Sequence, residues 1–321
     1  MTLAVSDRIL VTGGTGFLGR HTLERLVSQG YRPQATTFDE GNLVVRADGM
    51  SGVDLIESDL TDRKQVKDLI DTCRPRIVIH LAGTTGHNDP TGERCHRINY
   101  EATVNLLDSL GASDVQGVIL IGTAAEYGNQ PTPFCENMKT RPLSHYATSK
   151  VRANEYALTM FAKTGLPVTI LRVFTAFGYG QPAKMFLSQL IKHALLNQTF
   201  KMSDGMQKRD FVYIEDVTTA ILASLTAADA VGRTINIGSG IGIPLRRIAD
   251  VVWKACGARS ELLEIGALDK AGDAAFDTES DISLARDILG WTPTAAILNG
   301  SNPSSALLDT ISSIKHDVVG T

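Results

Sequence analysis

Several features that would point to particular classes of protein are scarce in this sequence. The 321 residues include four cysteines, Cys73, Cys95, Cys135 and Cys256, which are too widely spaced for a zinc site or a redox pair. We expect them to be reduced and structural. Basic residues are not in excess, because 31 lysines and arginines stand against 35 aspartates and glutamates. The net charge of −4 provides no positive field for nucleic acid or a membrane surface, so neither is an expected partner.

Long apolar runs are also missing. No stretch of about 18 apolar residues could span a bilayer, and the opening MTLAVSDRILVTGG lacks the basic start and cleavage site of a secretory signal. These observations predict a cytoplasmic protein. The remaining composition is that of a globular enzyme, with 43% hydrophobic and 21% charged residues. Because single cores stop growing at about 250 to 300 residues, we expect a main domain with a smaller appendage.

Short β-branched runs alternate with segments of helical period in the first half of the chain, a pattern typical of a parallel sheet with helices on both faces. Strands are predicted at 8–12, 34–38, 54–57, 76–81, 118–121 and 168–171, and helices at 21–28, 64–73, 99–110 and 149–164. The later part is predicted to be mostly helical, with a short strand at 234–237 and a polar linker at 299–305. The fold class is therefore α/β, a Rossmann-type doubly wound sheet with six parallel strands in its first part.

The same pattern gives the expected domain boundaries. Residues 1–171 form the Rossmann domain, to which residues 210–238 return, and residues 172–209 and 239–321 form a smaller, mostly helical C-terminal domain.

A glycine-rich turn follows the first predicted strand, in the segment TGGTGFLG. Glycine permits positive φ at such a turn, removes the Cβ that would block a pyrophosphate, and lets the helix lie close to the sheet. The free N–H groups at the helix start then face the phosphate charge. A structural glycine turn is the alternative, but the strand–turn–helix context favours a dinucleotide site. Its predicted contacts are Gly13, Thr15, Gly16, Phe17, Leu18 and Gly19.

The choice of dinucleotide depends on the end of the second strand. Asp39 is placed to accept hydrogen bonds from ribose hydroxyls, and no arginine lies between Pro33 and Arg46 to bind a 2′-phosphate. NAD or NADP is therefore predicted, with NAD favoured. Asp59 and Leu60 are expected to meet the adenine, although a turn leading into a helix is an alternative role for them. Further cofactor contacts are predicted at Leu81, Ala82 and Gly83.

Tyr146 and Lys150 lie four residues apart in HYATSK at the start of a predicted helix, so they share one face. Tyrosine has an ordinary pKa of about 10, but the lysine ammonium and an oxidised nicotinamide both favour phenolate. Tyr146, with its pKa brought towards neutrality, could then take a proton from a substrate hydroxyl as hydride leaves the carbon. Thr123, at a strand end, would hold that oxygen. A tyrosine and lysine one turn apart are more often a surface pair, but the upstream glycine turn favours catalysis.

Other catalytic arrangements find no support. His80, His87, His96 and His145 are not at metal-binding spacing with a carboxylate, so no metal site is predicted. No G-x-S-x-G segment is present, and Ser144 and Ser149 are interpreted as cap and cofactor-shell residues.

Six motifs in order, TGGTGFLG, HLAG, TAAEYG, YATSK, RVFTAFGYGQ and RDFVYIEDV, resemble the extended short-chain dehydrogenase/reductase family in its NAD-dependent epimerase/dehydratase branch. The resemblance implies that the smaller domain binds a nucleotide-activated sugar. It also implies that Thr123, Tyr146 and Lys150 are catalytic, that Asn99 supports the lysine and that Arg209 binds the diphosphate. Lys150 and Asn99 are counted with the cofactor contacts. Val173 is also predicted to touch the cofactor, and the substrate contacts are Thr84, Thr123, Tyr146, Thr175 and Arg209.

Departures from the family pattern narrow the expected chemistry. Ala124 and Ala125 replace the Asp and Glu that follow the catalytic threonine in sugar 4,6-dehydratases, so dehydration is not expected. Thr175 replaces the usual asparagine. The segments GTAAEYG, RPLSHYATSK and INIGSGIGIPL look closest to GDP-4-keto-6-deoxymannose reductases, which favours reduction of a 4-keto-6-deoxy sugar nucleotide.

Two alternatives stay open: an NAD-dependent nucleotide-sugar 4-epimerase, and an inactive dinucleotide-sensing protein, which the intact trio disfavours. The family also implies a homodimer, with helices 99–110 and 149–164 of each subunit paired in a four-helix bundle.

Overall fold

The computed structural model describes residues 4–38, 51–86, 89–111, 113–269 and 276–319. None of the helices in these ranges combines the length and apolar character that crossing a membrane would need. The strands are β1 (Ile9–Thr12), β2 (Gln34–Thr37), β3 (Asp54–Glu57), β4 (Ile77–His80), β5 (Gly117–Thr123), β6 (Val168–Val173), β7 (Thr175–Phe177), β8 (Phe200–Met202), β9 (Lys208–Tyr213), β10 (Thr234–Ile237), β11 (Gly242–Pro244), β12 (Leu263–Ile265), β13 (Leu298–Asn299) and β14 (Asn302–Pro303). The α-helices are α1 (Phe17–Ser28), α2 (Arg63–Cys73), α3 (Glu93–Cys95), α4 (Ala102–Leu110), α5 (His145–Thr164), α6 (Phe186–Leu195), α7 (Ile214–Thr226), α8 (Leu245–Ala255), α9 (Ser283–Leu289) and α10 (Ser305–Val319).

A seven-stranded sheet in the order β10-β6-β5-β4-β1-β2-β3 forms the centre of the molecule, and every neighbouring pair in it is parallel. Strands such as ILVT in β1 and IVIH in β4 are wholly buried, as a sheet covered by helices on both faces requires. The strand order reverses between β1 and β4, and ligands of such sheets bind beyond the carboxyl ends at this point. The predicted Rossmann-type fold class is confirmed.

The sheet gains its seventh strand from the later part of the chain. The strand predicted at 234–237 pairs with β6, with Thr234 opposite Ile170 and Ile237 opposite Val173. The six strands predicted from the first part are therefore not the whole sheet, because β10 joins it through a contact distant in sequence. The predicted domain boundaries remain a prediction.

The later part contains more strand than its sequence indicates. β11, β9 and β7 form one small sheet, β12 pairs with β8, and β13 pairs with β14. The prediction of a polar linker at 299–305 is wrong, because β13 and β14 form a short hairpin whose turn uses Gly300 at φ +60°. Glycine adopts this left-handed conformation without steric cost, so the polar residues can turn tightly.

Two helices begin earlier than predicted, and both lead into the site. α1 starts at Phe17, directly after the glycine turn, and α5 starts at His145 because the Ser144 hydroxyl accepts a hydrogen bond from the Ala147 N–H at 3.2 Å. Tyr146 therefore lies in the first turn of α5. The helix predicted at 99–110 is α-helical only from Ala102, as α4, because residues 99–101 belong to a π-helical turn over His96–Glu101 that follows α3.

Candidate active site

The carboxyl ends of the parallel strands border a cavity of about 620 Å³. Gly13, Gly16 and Gly19 line it from the turn between β1 and α1. The predicted catalytic trio, Thr123, Tyr146 and Lys150, lines it from the end of β5 and the start of α5, and β7 and β9 add a third wall. The structure therefore brings the predicted cofactor turn, the predicted trio and part of the predicted substrate side to one cavity.

The glycines of the turn are required by close contacts. Gly13 has φ +67°, and a Cβ there would lie 2.6 Å from the backbone nitrogen of Ala82. A Cβ on Gly19 would lie 2.2 Å from the carbonyl oxygen of Gly13. Side chains at these two positions would separate β1 from β4 or α1 from the turn, so the spacing serves the backbone packing that shapes the cavity.

The start of α1 is suited to an anion. Its N-cap is Gly16, no side chain caps it, and its first turn contains no acidic residue. The N–H groups of this turn are therefore left to donate to a ligand, and the helix dipole favours negative charge there. Phe17 and Leu18 line the same cavity. Together with the glycine cradle, this arrangement fits the pyrophosphate of a dinucleotide.

Most of the remaining predicted cofactor contacts lie at or next to the wall of the cavity. Leu81, Gly83, Asn99 and Val173 line the cavity, and Ala82 packs against Gly13. Thr15, in the glycine turn, lies beside the end of β2, with its hydroxyl 3.4 Å from that of Thr37.

Three other predicted contacts are not placed against the cavity. Asp39 lies outside the described residues. The Asp59 carboxylate accepts hydrogen bonds from the N–H and hydroxyl of Thr61, and Leu60 is buried, so both take part in the turn that leads into α2. Their contact with adenine stays a prediction.

Each residue of the trio is half-buried in the wall of the cavity. Burial raises the pKa of Tyr146 to about 12; the charge of Glu126 acts in the same direction, and a hydrogen bond with Thr123 acts in the opposite one. Burial also lowers the pKa of Lys150 to about 8, against the attraction of Glu126. In the chain alone, loss of water around the phenol therefore outweighs the effect of its neighbours. The expectation that Lys150 and an oxidised nicotinamide together bring the pKa of Tyr146 towards neutrality stays a prediction.

Asn99 sits behind the lysine, in the π-helical turn. Its side-chain oxygen accepts a hydrogen bond from Thr84 N at 2.8 Å, and its amide donates to Thr84 O and to the Ser149 hydroxyl, both at 2.9 Å. Asn99 thus joins the loop after β4 to α5, one residue before Lys150. The same hydrogen bonds fix Thr84, which lines the cavity, and the support of Lys150 by Asn99 stays a prediction.

The substrate side is built by the small sheet of β7, β9 and β11. Thr175 and Arg209 line the main cavity, and both also line a second cavity of about 330 Å³. Arg209 Nη1 donates to the carbonyl oxygens of Lys208, at 2.8 Å, and of Phe276. The guanidinium therefore lies at the junction of the two cavities.

Several residues that line the cavity are not predicted from the sequence. The motifs gave no reason to single out Thr85, Phe174, Phe276 or Thr278, which complete the cavity from loops after β4 and β6 and from the chain near α9. Glu126 was also missed, although it lies within the TAAEYG motif. Among the described residues, no group of three His, Cys, Asp or Glu side chains could hold a metal ion.

The family of the chain follows from comparison with known proteins. The family described as "NAD dependent epimerase/dehydratase family" matches residues 9–238. The chain therefore belongs to this family, and the resemblance seen in its motifs is confirmed. It is an NAD-dependent enzyme of the extended short-chain dehydrogenase/reductase type.

Individual relatives span nearly the whole chain. The chain is 29% identical to a UDP-glucuronate 4-epimerase of Thermodesulfobacterium geofontis, over 95% of this chain and 98% of the relative. It is also 29% identical to a dTDP-6-deoxy-L-talose 4-dehydrogenase (NAD(P)(+)) of Kitasatospora kifunensis, over 89% and 91%. Among solved structures, UDP-glucuronic acid 4-epimerase from Bacillus cereus in complex with UDP-glucuronic acid and NAD is similar with a TM-score of 0.86 at 25% identity, over 96% and 99%.

Proposed function

We propose that this protein is an NAD-dependent nucleotide-sugar 4-epimerase. The observation that carries the proposal is the position of Thr123, Tyr146 and Lys150, which lie in one cavity between the glycine turn and the Arg209 junction. If a nucleotide sugar is held there, its sugar ring would lie between the bound dinucleotide on one side and the diphosphate of the nucleotide sugar on the other. Two of the three relatives described above are 4-epimerases, which supports epimerisation over the reduction that the motifs favoured.

The cofactor side is proposed to hold NAD. The glycine turn and the start of α1 would bind its pyrophosphate, and Asn99, Lys150 and Val173 would border its nicotinamide half. NAD, when bound, supplies the hydride acceptor that later returns the hydride to the sugar. The solved relative from Bacillus cereus contains NAD, which supports this choice.

Tyr146 is proposed to move the proton. Its phenolate oxygen would take the proton from the sugar C4 hydroxyl as the C–H bond breaks, and give it back when the bond re-forms on the other face. Thr123 would orient the C4 oxygen by a hydrogen bond. Because burial raises the pKa of Tyr146 to about 12 in the chain alone, the positive charges of oxidised nicotinamide and Lys150 are needed together to favour phenolate.

The nucleotide end is proposed to occupy the second cavity. Phe186, Phe200 and Met202 give it apolar walls, and Arg209 stands at its boundary with the catalytic cavity. The fork of an arginine can bind a phosphate through two hydrogen bonds, so Arg209 is placed to meet the diphosphate. The sugar would then extend from Arg209 towards Tyr146.

A second candidate is the reduction of a 4-keto-6-deoxy sugar nucleotide. It uses the same three residues, with Tyr146 donating a proton to the alkoxide oxygen. The 29% identity to a dTDP-6-deoxy-L-talose 4-dehydrogenase favours it.

One experiment separates the two candidates. The purified protein with NAD is given UDP-glucose or UDP-glucuronate, and separately a 4-keto-6-deoxy sugar nucleotide with NADH or NADPH. We expect the first to yield the C4 epimer by NMR, with no lasting change in the absorbance of reduced nicotinamide. Stoichiometric consumption of NADH or NADPH by the keto sugar, with no epimer formed, would establish reduction instead.

We also propose a homodimer in which the region 99–110 and α5 of each subunit form a four-helix bundle. Exposed side chains at Arg152, Glu155 and Thr159 lie along α5 and are available for such an interface. Sedimentation of the purified protein tests the stoichiometry, and a monomer at micromolar concentration would contradict it.

A further inference from the structure

A fully buried carboxylate, that of Glu126, lies directly behind the catalytic trio. Its Oε1 accepts hydrogen bonds from the backbone N–H of Thr123 at 2.7 Å and from the side-chain amide of Asn154 at 2.9 Å. Its Oε2 accepts two hydrogen bonds from Arg172, at 3.0 and 2.8 Å. Both carboxylate oxygens therefore have two donors each.

These donors come from the elements that carry the trio. Thr123 is the last residue of β5, and Asn154 lies on α5, four residues after Lys150 and eight after Tyr146. Residues at this spacing share one helix face. A single oxygen atom of Glu126 thus joins the strand that presents the threonine to the helix that presents the tyrosine and lysine.

Stability alone does not account for the ion pair. A buried pair often contributes no more to stability than apolar side chains of the same size would. Arg172 is 5% exposed, its Nη1 has no hydrogen-bond partner, and its guanidinium carbon lies 4.4 Å from the centre of the Tyr127 ring. The arrangement is better explained by orientation, since four directional bonds fix the carboxylate in one position.

We propose that Glu126 is a positioning residue, held in place by Arg172, which fixes the Thr123 hydroxyl and α5 relative to each other. The inference deepens the proposed function and rests on its proton transfer at Tyr146. It assigns Glu126 no contact with substrate or cofactor.

Electrostatics supports a geometric role over a role of the charge itself. The negative charge of Glu126 raises the pKa of Tyr146, which disfavours the base, whereas the hydrogen bond with Thr123 lowers it. Glu126 therefore assists the phenolate only through the position that it gives to Thr123. Arg172 balances the charge while leaving that position unchanged.

Two double variants separate position from charge. The first, Glu126→Met with Arg172→Met (the Met/Met protein), removes the ion pair. It also removes the Glu126 oxygen that accepts hydrogen bonds from the Thr123 N–H and the Asn154 amide. The second, Glu126→Gln with Arg172→Met (the Gln/Met protein), also removes both charges. Its glutamine oxygen can still accept hydrogen bonds from the Thr123 N–H and the Asn154 amide. The two proteins differ at one side chain of similar size, so differences in packing are small.

The proposal predicts that the Gln/Met protein keeps kcat within about threefold of wild type, and that the Met/Met protein loses about 100-fold in kcat with little change in KM. Equal kcat values in the two variants would overturn it. If the Met/Met protein does not fold, Asn154→Ala takes its place; this change leaves the ion pair intact and should lower kcat about tenfold. An unchanged kcat for Asn154→Ala would overturn the proposal.

A control tests whether any loss of a buried carboxylate has the same effect. Asp216 is 2% exposed and accepts hydrogen bonds from Thr294 N and Ala295 N, both at 3.0 Å, away from the trio. Asp216→Asn should lower the midpoint of thermal unfolding and leave kcat unchanged. A loss of kcat as large as that of the Met/Met protein would show that turnover follows stability, and would overturn the proposal.

A titration distinguishes failure of this inference from failure of the proposed function. The NMR signal of the Tyr146 ring in NAD-loaded protein reports its protonation whichever sugar reacts. The midpoint should be higher in the Met/Met than in the Gln/Met protein, because only the former loses the Thr123 hydrogen bond. Cys95, whose charge also acts on the pKa of Tyr146, and Lys150 and His145 on the same helix are unchanged in both proteins. Equal midpoints would overturn the inference even if no tested sugar is epimerised.

Discussion

The two sides of the active-site cavity are built in opposite ways. The glycine turn works because side chains are absent: Gly13 and Gly19 leave no Cβ where neighbouring backbone atoms lie within 2.6 Å. The opposite side works because side chains are present, and the Glu126 carboxylate uses both oxygens to join Thr123, Asn154 and Arg172. On the first side, one added side chain should therefore weaken cofactor binding in a single large step, whereas the hydrogen-bonded network around Glu126 on the second side should respond in degrees to each bond that is lost.

The largest effect is expected on the catalytic side, from Tyr146→Phe. This change removes the proton carrier and keeps the ring, so kcat should fall about 10²- to 10⁴-fold while NAD binding is unchanged. Tyr156→Phe on the same helix is the matched control, because the Tyr156 hydroxyl bonds Asp108 outside the cavity. Turnover by Tyr146→Phe at the rate of the Tyr156 variant would remove the basis of the mechanism.

The next effect is expected at the turn, from Gly13→Val. The new Cβ would meet Ala82 N at 2.6 Å in a backbone conformation of φ +67°, so the Kd for NAD should rise about 100-fold, roughly 3 kcal/mol. Titration of the protein with NAD, followed by fluorescence, measures it.

Gly165→Ala provides the control for conformational strain alone. Gly165 also has a positive φ, of +77°, but a Cβ there would meet no atom within 4 Å. It should destabilise the fold by about 1 kcal/mol and leave the Kd for NAD unchanged. If both variants weaken NAD binding equally, strain and not the close approach of the turn is responsible.

The glycine turn and the Tyr146–Lys150 pair could both be predicted from the sequence because their signals are local. TGGTGFLG and the four-residue spacing of Tyr146 and Lys150 are each contained within one turn and one helix. The Glu126–Arg172 pair joins residues 46 positions apart, and no periodicity indicates which arginine meets which carboxylate. The same limit applies to the contact of Arg209 with the carbonyl of Phe276, which is 67 positions away in the chain.

The last effect is expected on the same side of the cavity as the glycine turn, and it is on stability. This side of the cavity also depends on a buried polar side chain, that of His80. His80 ends β4, and its ring nitrogens lie 2.7 Å from the Thr12 hydroxyl and 3.0 Å from that of Thr103. Burial, with a lesser contribution from the charge of Lys150, lowers the pKa of His80 to about 3. The imidazole is therefore neutral in the folded protein at neutral and mildly acidic pH.

This pKa makes stability depend on pH in a defined direction. The unfolded imidazole, with a pKa of about 6.5, binds a proton below that pH while the folded one does not, so stability falls as pH drops from about 6.5 to 3. When the pH falls from about 7 to about 5, His80 lowers the free energy of unfolding by about 2 kcal/mol. Urea unfolding at both pH values measures the free energy of unfolding. The decrease in this free energy on going from the higher to the lower pH should be smaller by about 2 kcal/mol in His80→Gln than in wild type. Equal losses in the two proteins would show that His80 is not held neutral.

The central claim is that one sugar carbon gives up a hydride and receives it back within the same complex. The most direct measurement follows a deuterium label at C4 of the UDP-sugar that the enzyme turns over, in the presence of NAD and unlabelled water. We expect the C4 epimer to form with the deuterium still on C4. Epimer with hydrogen at C4, or label found in free reduced cofactor with no epimer, would contradict it.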